Sequence, residues 1–153
     1  QQDPQTVAPV ELLQEMVAEK KLGSLAPVFL SYSGFQPHAI RIVKELVPQV
    51  LKAARTYGVH AALIVPAGRL STQSAGLLAR ALEVNNIVTV LTGWDRSQIE
   101  QTAPPRGTVT RLPSSSPMGA PGDVEQQRRV LSATLALLEQ HAPTGIHELD
   151  EAG

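Results

Sequence analysis

Cysteine is absent from all 153 residues. That excludes disulfides, thiolate nucleophiles, zinc–thiolate centres and iron–sulfur clusters built by this chain alone. Aromatic side chains are nearly as scarce, with one Trp, two Tyr and two Phe. Charge of either sign is balanced, at a net −1. No basic stripe interleaves with aromatics, so the composition gives no footprint for nucleic acid. Long apolar runs are missing too. None approaches the roughly 20 residues that cross a bilayer. No secretory leader is visible, which fits a cytoplasmic protein. Gln1 in place of an initiator Met reads as the mark of a fragment or a processed subunit. What is present is 42% apolar residues, enough for a buried core and too many for a disordered chain. The length suits one α/β domain over residues 1–153, with loose tails at 1–8 and 143–153.

Hydrophobic spacing sets the expected elements. Leu12, Leu13, Met16 and Val17 recur at helical spacing over Val10 to Ala18. Pro27 to Tyr32 reads as a strand. His38 to Tyr57 reads as a long helix, with Pro48 predicting a kink or a break into two pieces. Ala61 to Val65 and Ile87 to Leu91 are nearly uniform apolar runs, the mark of strands buried on both faces. Ser71 to Glu83 is a helix between them. Asp95 with Gln98, and Asp123 with Gln126, have the spacing of helix-capping pairs and open two further helices. Gly107 to Leu112 is a weaker strand, and His141 onward reads as a tail. Alternating helices and buried strands predict a three-layer α/β fold. It has a small, mostly parallel sheet of about four strands, helices on both faces, and a Rossmann- or flavodoxin-like arrangement.

In such sheets ligands sit outside the carboxyl ends of the strands. Four loops qualify: Ser31–His38, Pro66–Gln73, Thr92–Asp95 and Pro113–Asp123. In the first, Ser31, Ser33 and Gly34 can approach an anion, and His38 can act as acid or base. The same residues also make an ordinary strand-to-helix turn. In the second, Arg69 can grip a carboxylate or phosphate. Ser71, Thr72 and Gln73 are polar neighbours of that grip, and Ser71 and Thr72 equally serve as helix caps. In the third, Trp94 can wall a pocket or fill an interface, while Asp95 is better read as a cap. In the fourth, a run containing Ser114, Ser116 and Gly119 can wrap an anion in backbone amides, act as a lid, or simply connect. It matches neither the P-loop nor the dinucleotide spacing. The four histidines lack metal-ligand spacing, so neither metal nor cofactor is expected.

Three segments carry a resemblance. They are Glu15–Glu19 through Gly23–Pro27, Val65-Pro66 followed by Ser74–Glu83, and Ala103–Arg106 followed by Gly119–Asp123 with Gln126 or Gln127. Together they resemble the selenoprotein B family of glycine, sarcosine, betaine and D-proline reductases and its selenium-free relatives. The likeness runs from about Val10 to Glu139. The family's redox loop corresponds to Gly68–Gln73, which holds no thiol or selenol here. Reductive cleavage through a selenoether is therefore not available to this chain. Arg106 and Gly119–Asp123 match family positions, which marks them as candidates for a retained pocket. The resemblance also implies an extra strand region before Val10, so a partner chain is expected to complete the sheet.

Three readings follow. One is a subunit of a heteromeric enzyme that binds a small amino-acid-like or carboxylated substrate beside a homologous cysteine-bearing subunit. Another is a noncatalytic scaffold for such a paralogue. The third is a stand-alone acid–base lyase or isomerase, as a homo-oligomer. The candidate residues are His38, Ser71 and Thr72 for chemistry. Ser31, Ser33, Gly34, Arg69, Gln73, Trp94, Arg106, Ser116 and Gly119 are the candidates for binding. No nucleic acid and no membrane is expected as a partner.

Overall fold

The apolar runs become a parallel sheet because each can bury both faces only between helices. In the computed structural model, which describes residues 3–32 and 38–153, these runs form β1 (Ala61–Ile64), β2 (Val88–Gly93) and β3 (Gly107–Arg111). A further strand, β4 (Ile146–Ala152), completes a four-stranded sheet. The spatial order is β1-β2-β3-β4 and every pairing is parallel. The helices are α1 (Val10–Ala18), α2 (Ala39–Arg41), α3 (Val47–Thr56), α4 (Thr72–Val84), α5 (Arg96–Thr102) and α6 (Val124–Ala136). Helices cover both faces, so this is a three-layer α/β fold of Rossmann- or flavodoxin-like kind. Among the described residues no helix is long and apolar enough to cross a membrane.

Two apolar cores flank the sheet. One packs Val47 and Ala54 of α3, Leu78 and Leu82 of α4 and Ile99 of α5 against Ile64, Leu91 and Val109. The other packs α1, through Leu12, Leu13 and Met16, with Val130 and Leu131 of α6. It takes Leu63, Val65 and Leu149 from the opposite side of the strands. The alternation of Leu63, Ile64 and Val65 between the cores is the two-residue period of a strand. All the crossovers advance in one direction across the sheet. Yet α4 and α5 lie on one face and α6 on the other, so the β3–α6–β4 crossover has the opposite hand to those before it. Connections of one hand are the strong preference, and here one departs from it.

Several expectations need correction. Pro27–Tyr32 is not a strand: it runs without regular pairing, and Val28, Phe29 and Leu30 are exposed. An apolar run supplies side chains, but a strand also needs a neighbour for its backbone. The predicted tail instead holds β4. Its charges hid the strand, because Asp150 and Glu151 meet Arg111 and Arg129 at 2.7 Å in each case. The amino end is not loose from Asp3 onward. Asp3 accepts hydrogen bonds from the Gly122 amide and the Gln127 side chain, both at 3.0 Å. These bonds hold its carboxyl below the usual carboxylate range. Thr6 is buried, and its carbonyl accepts from the Met118 amide at 2.9 Å. Pro48 is the second residue of α3, where its missing donor is tolerated, and the irregularity in the long helix lies just before it. A π turn over Ile42–Leu46 separates α2 from α3.

Gly76 lets α4 meet α5 closely. A Cβ placed there falls 2.0 Å from Thr102 Oγ1 and 2.2 Å from Thr102 Cβ. Gly76→Ala is therefore expected to lower stability by roughly 1–3 kcal/mol. Adding Thr102→Gly should restore part of the loss; urea unfolding of the single and double variants checks both statements. A second expectation concerns alkaline pH. Burial pushes the Tyr32 phenol up to about 12. A folded-state value above the unfolded one of ~10 gives stability that is complete below pH 10 and lost as pH climbs through 12. The loss is at most roughly 2–3 kcal/mol. Tyr32→Phe should flatten it, as read by urea unfolding at about pH 9 and about pH 11.

Candidate functional site

The loop after β2 passes to α5 on one face, and the loop after β3 passes towards α6 on the other. Adjacent strand ends whose connections part in this way leave a crevice between them. That crevice is present. A cavity of about 470 Å³, broadly open to solvent, is lined by Trp94, Asp95, Arg96, Ser97, Leu112, Pro113 and Ser114.

Its side chains are held by local chemistry. Asp95 caps α5, accepting from the Gln98 amide at 3.2 Å and the Gln98 side chain at 3.0 Å. Its carboxylate already occupies the helix N-terminus, so that terminus does not call for a second anion. Arg96 opens α5 and pairs with Glu100 one turn later, Nε to Oε1 at 2.7 Å. Its Nη1 lies 3.9 Å from Glu148 of β4. The guanidinium stays half-exposed and keeps unused donors. Trp94 is half-buried, with an indole on the cavity wall. Ser97 and Ser114 add hydroxyls, and Leu112 and Pro113 add apolar surface. A cation, a carboxylate, an indole face and two hydroxyls suit a small zwitterion or carboxylate. They do not make a nucleophile with its base, since no histidine lines the cavity. Among the described residues no group of three or more His, Asp or Glu is placed to hold a metal.

Of the residues named as candidates for chemistry or binding, Trp94 alone lines this cavity, together with Asp95 and Ser114 from the third and fourth loops. Ser33 and Gly34 lie outside the described residues, and Arg69 is described in its backbone only. Ser31 and His38 are exposed, and the His38 side chain caps no helix amide. Ser71 is buried and donates its hydroxyl to the Gly68 carbonyl at 2.6 Å. It therefore neither caps α4 nor stands free as a nucleophile. Thr72 is buried at the start of α4, and Gln73 is exposed.

Beyond Ser114 the fourth loop is tied into the fold. Ser116 is buried, and its amide donates to the Pro113 carbonyl at 2.9 Å. Gly119 sits at φ +133°, where a Cβ would fall 2.6 Å from Gln127 Cγ. The Ala120 amide donates to Gln126 at 2.7 Å, and its carbonyl accepts from Gln127 at 2.9 Å. The amides that would have wrapped an anion are engaged inside the protein. Sequence reading passed over Arg96 and Ser97 because they stand just beyond the Thr92–Asp95 loop. The signal was the capping aspartate itself, which aims the first turn of α5 at the strand ends.

Arg106 is the largest relocation. It lies one residue before β3, at the amino end of the sheet, far from the cavity along the strand. It is buried, and Nη1 meets Glu83 at 2.5 Å while Nε donates to the Gln140 carbonyl at 2.9 Å. Glu83 also accepts from the Thr89 amide at 2.6 Å and the Thr89 hydroxyl at 3.1 Å. Arg106 thus ties α4, β2 and the segment after α6 together.

No protein-family model matches the chain. No solved structure matches it either. Among curated proteins it is similar to the D-proline reductase subunit gamma of Acetoanaerobium sticklandii, at 22% identity over 137 residues. The alignment covers 90% of this chain and 57% of that subunit. The chain thus spans little more than half the length of its relative. At this identity the likeness supports a distant relationship to the proline and glycine reductases and nothing finer.

The Arg106 assignment has a direct consequence. Arg106→Met leaves the Glu83 carboxylate half-enclosed and the Gln140 carbonyl without its donor. A loss of about 3 kcal/mol is expected in thermal or urea unfolding, as for other broken buried pairs. Ligand binding at the cavity should survive wherever the variant is folded.

Proposed function

We propose that this chain is a subunit of a heteromeric enzyme related to the reductases, and that it binds a small amino-acid-like or carboxylated ligand without redox chemistry of its own. The observation that carries the reading is the open cavity at the ends of β2 and β3. There, half-exposed Arg96, capping Asp95 and the indole of Trp94 meet, and the Ser97 and Ser114 hydroxyls beside them have no histidine to activate them. Arg96 takes the ligand carboxylate through its free guanidinium donors. Trp94 covers the ligand's apolar or ammonium side. Asp95 supplies negative charge for that ammonium. The reacting thiol or selenol comes from a partner subunit, in keeping with a relative that is itself named as a subunit. Such an assembly belongs in the cytoplasm.

A second reading, the noncatalytic scaffold, draws on a different observation. Ser71, Thr72, Ser116 and Arg106 are all buried, and the hydrogen bonds of Ser71 and Arg106 are internal to the fold. That leaves few groups free for chemistry. The two readings part on ligand binding.

Trp94 is the only tryptophan, so its emission reports on the cavity directly. Titration with small amino acids and N-alkylated amino acids is expected to give a saturable change. Arg96→Ala should weaken binding at least about tenfold, the loss of one charge-assisted contact. The matching amides, which lack the carboxylate, should not bind. Native mass spectrometry of the untagged protein from its own cells should show a thiol-bearing second chain. Unchanged Trp94 emission across the series removes the ligand-binding reading and leaves the scaffold. A bare homo-oligomer removes the heteromer.

A further inference from the structure

The two edges of the sheet are protected differently. Outermost β4 carries His147, Glu148, Asp150 and Glu151, and charge along an edge strand discourages further pairing. At the other edge, β1 reads Ala61-Ala62-Leu63-Ile64 with no charge, and it pairs only with β2. Its outward amides and carbonyls have no strand beside them among the described residues. Elsewhere in the same chain, Pro27–Tyr32 has the opposite deficiency. It has the composition of a strand but lacks a partner, and Phe29 and Leu30 are 56% and 55% exposed.

We propose that Pro27–Tyr32 is a detachable fifth strand that pairs parallel with the free edge of β1. Three observations select this occupant. Tyr32, at the end of the segment, already packs against the core cluster that holds Ile64 and against which Ala62 also packs, so the segment is tethered on that face of the sheet. Residues 33–60 contain α2, the π turn and α3, which is the helical connection that parallel neighbours require. Finally, α3 lies on the same face as α4 and α5. A strand outside β1, joined through α3, therefore makes a crossover of the same hand as β1–α4–β2 and β2–α5–β3. A strand placed between existing neighbours would break a pair, and the other edge, β4, is lined with charge.

Pairing gains ladder hydrogen bonds and covers Phe29 and Leu30, but it orders a segment that is otherwise free. The opposing terms partly cancel, which leaves the paired state favoured but detachable. In the paired state Ser31 ends the new strand at the carboxyl side of the sheet. It then stands beside the loop that leads from β1 into α4, with His38 opening the helix that follows. The ends of the first two loops, none of whose described residues lines the cavity, would then flank one another.

The absence of cysteine makes the test clean. Leu30→Cys with Ala62→Cys places one thiol on each strand, both on the face that carries Tyr32 and Ile64. Mild oxidation is expected to give an intramolecular disulfide, seen as a faster-running monomer on a non-reducing gel. In the unmodified protein, the β1 amides that point away from β2 should exchange with deuterium at least about tenfold more slowly than open-chain amides. Phe29→Pro, at an exposed position, removes a ladder donor and should abolish that protection while leaving β2 and β3 protected. A disulfide-linked dimer, or protection that rises with protein concentration, would assign the edge to a second copy and overturn the proposal. So would outward β1 amides that exchange at the open-chain rate, or protection untouched by Phe29→Pro, which would place another strand on that edge.

Discussion

The constraint on which this structure depends is the double burial of β2 and β3. Val90 and Leu91 are both fully buried although they point to opposite faces. Apolar side chains on both sides of a strand cannot be shielded by one layer of helices, so the chain must supply two. The first layer is α3, α4 and α5; the second is α1 and α6. The crossover carrying α6 takes the unusual hand because only the second face still needed covering. The cavity follows from the same requirement. Loops that leave neighbouring strands for opposite layers must diverge, and the space between them is open at the carboxyl end.

The two ends of the sheet divide the work of the molecule. At the amino end a buried ion pair, Arg106 with Glu83, gathers α4, β2 and the chain beyond α6. A guanidinium so enclosed is held in place by its bonds to Glu83 and the Gln140 carbonyl. At the carboxyl end the charged groups are half-exposed, paired with neighbours that a ligand can displace at little cost. Charge placed where water remains can be used for recognition; charge taken out of water is committed to the fold.

The chemistry that is missing is as informative as the groups that are present. The loop between β1 and α4 carries hydroxyls and no thiol, and the Ser71 hydroxyl is buried and bonded to its own loop. A serine in that setting has no base to activate it. The distant likeness to a reductase subunit and the lack of a thiol are compatible when recognition and reaction reside on different chains.

Much of the fold was legible in the residues. The buried strands, the capping aspartates Asp95 and Asp123, the break just before Pro48 and the three-layer arrangement all follow from spacing within one segment. Trp94 was legible as a pocket wall because it stands at the end of a buried strand. The errors share one cause. Pro27–Tyr32 has a strand's composition but no neighbour, whereas Ile146–Ala152 looks like a solvated acidic tail and finds β3 alongside it. Arg106 and Gly119 looked like site residues and are packing residues, because their partners Glu83 and Gln127 are distant in the chain. By itself the sequence determined most of the helices, the three central buried strands, and that these 153 residues supply no thiol. Only the tertiary structure decided which strand borders which, which charges are enclosed and where the cavity opens. Those are properties of pairs of distant segments, and local spacing carries no information about them.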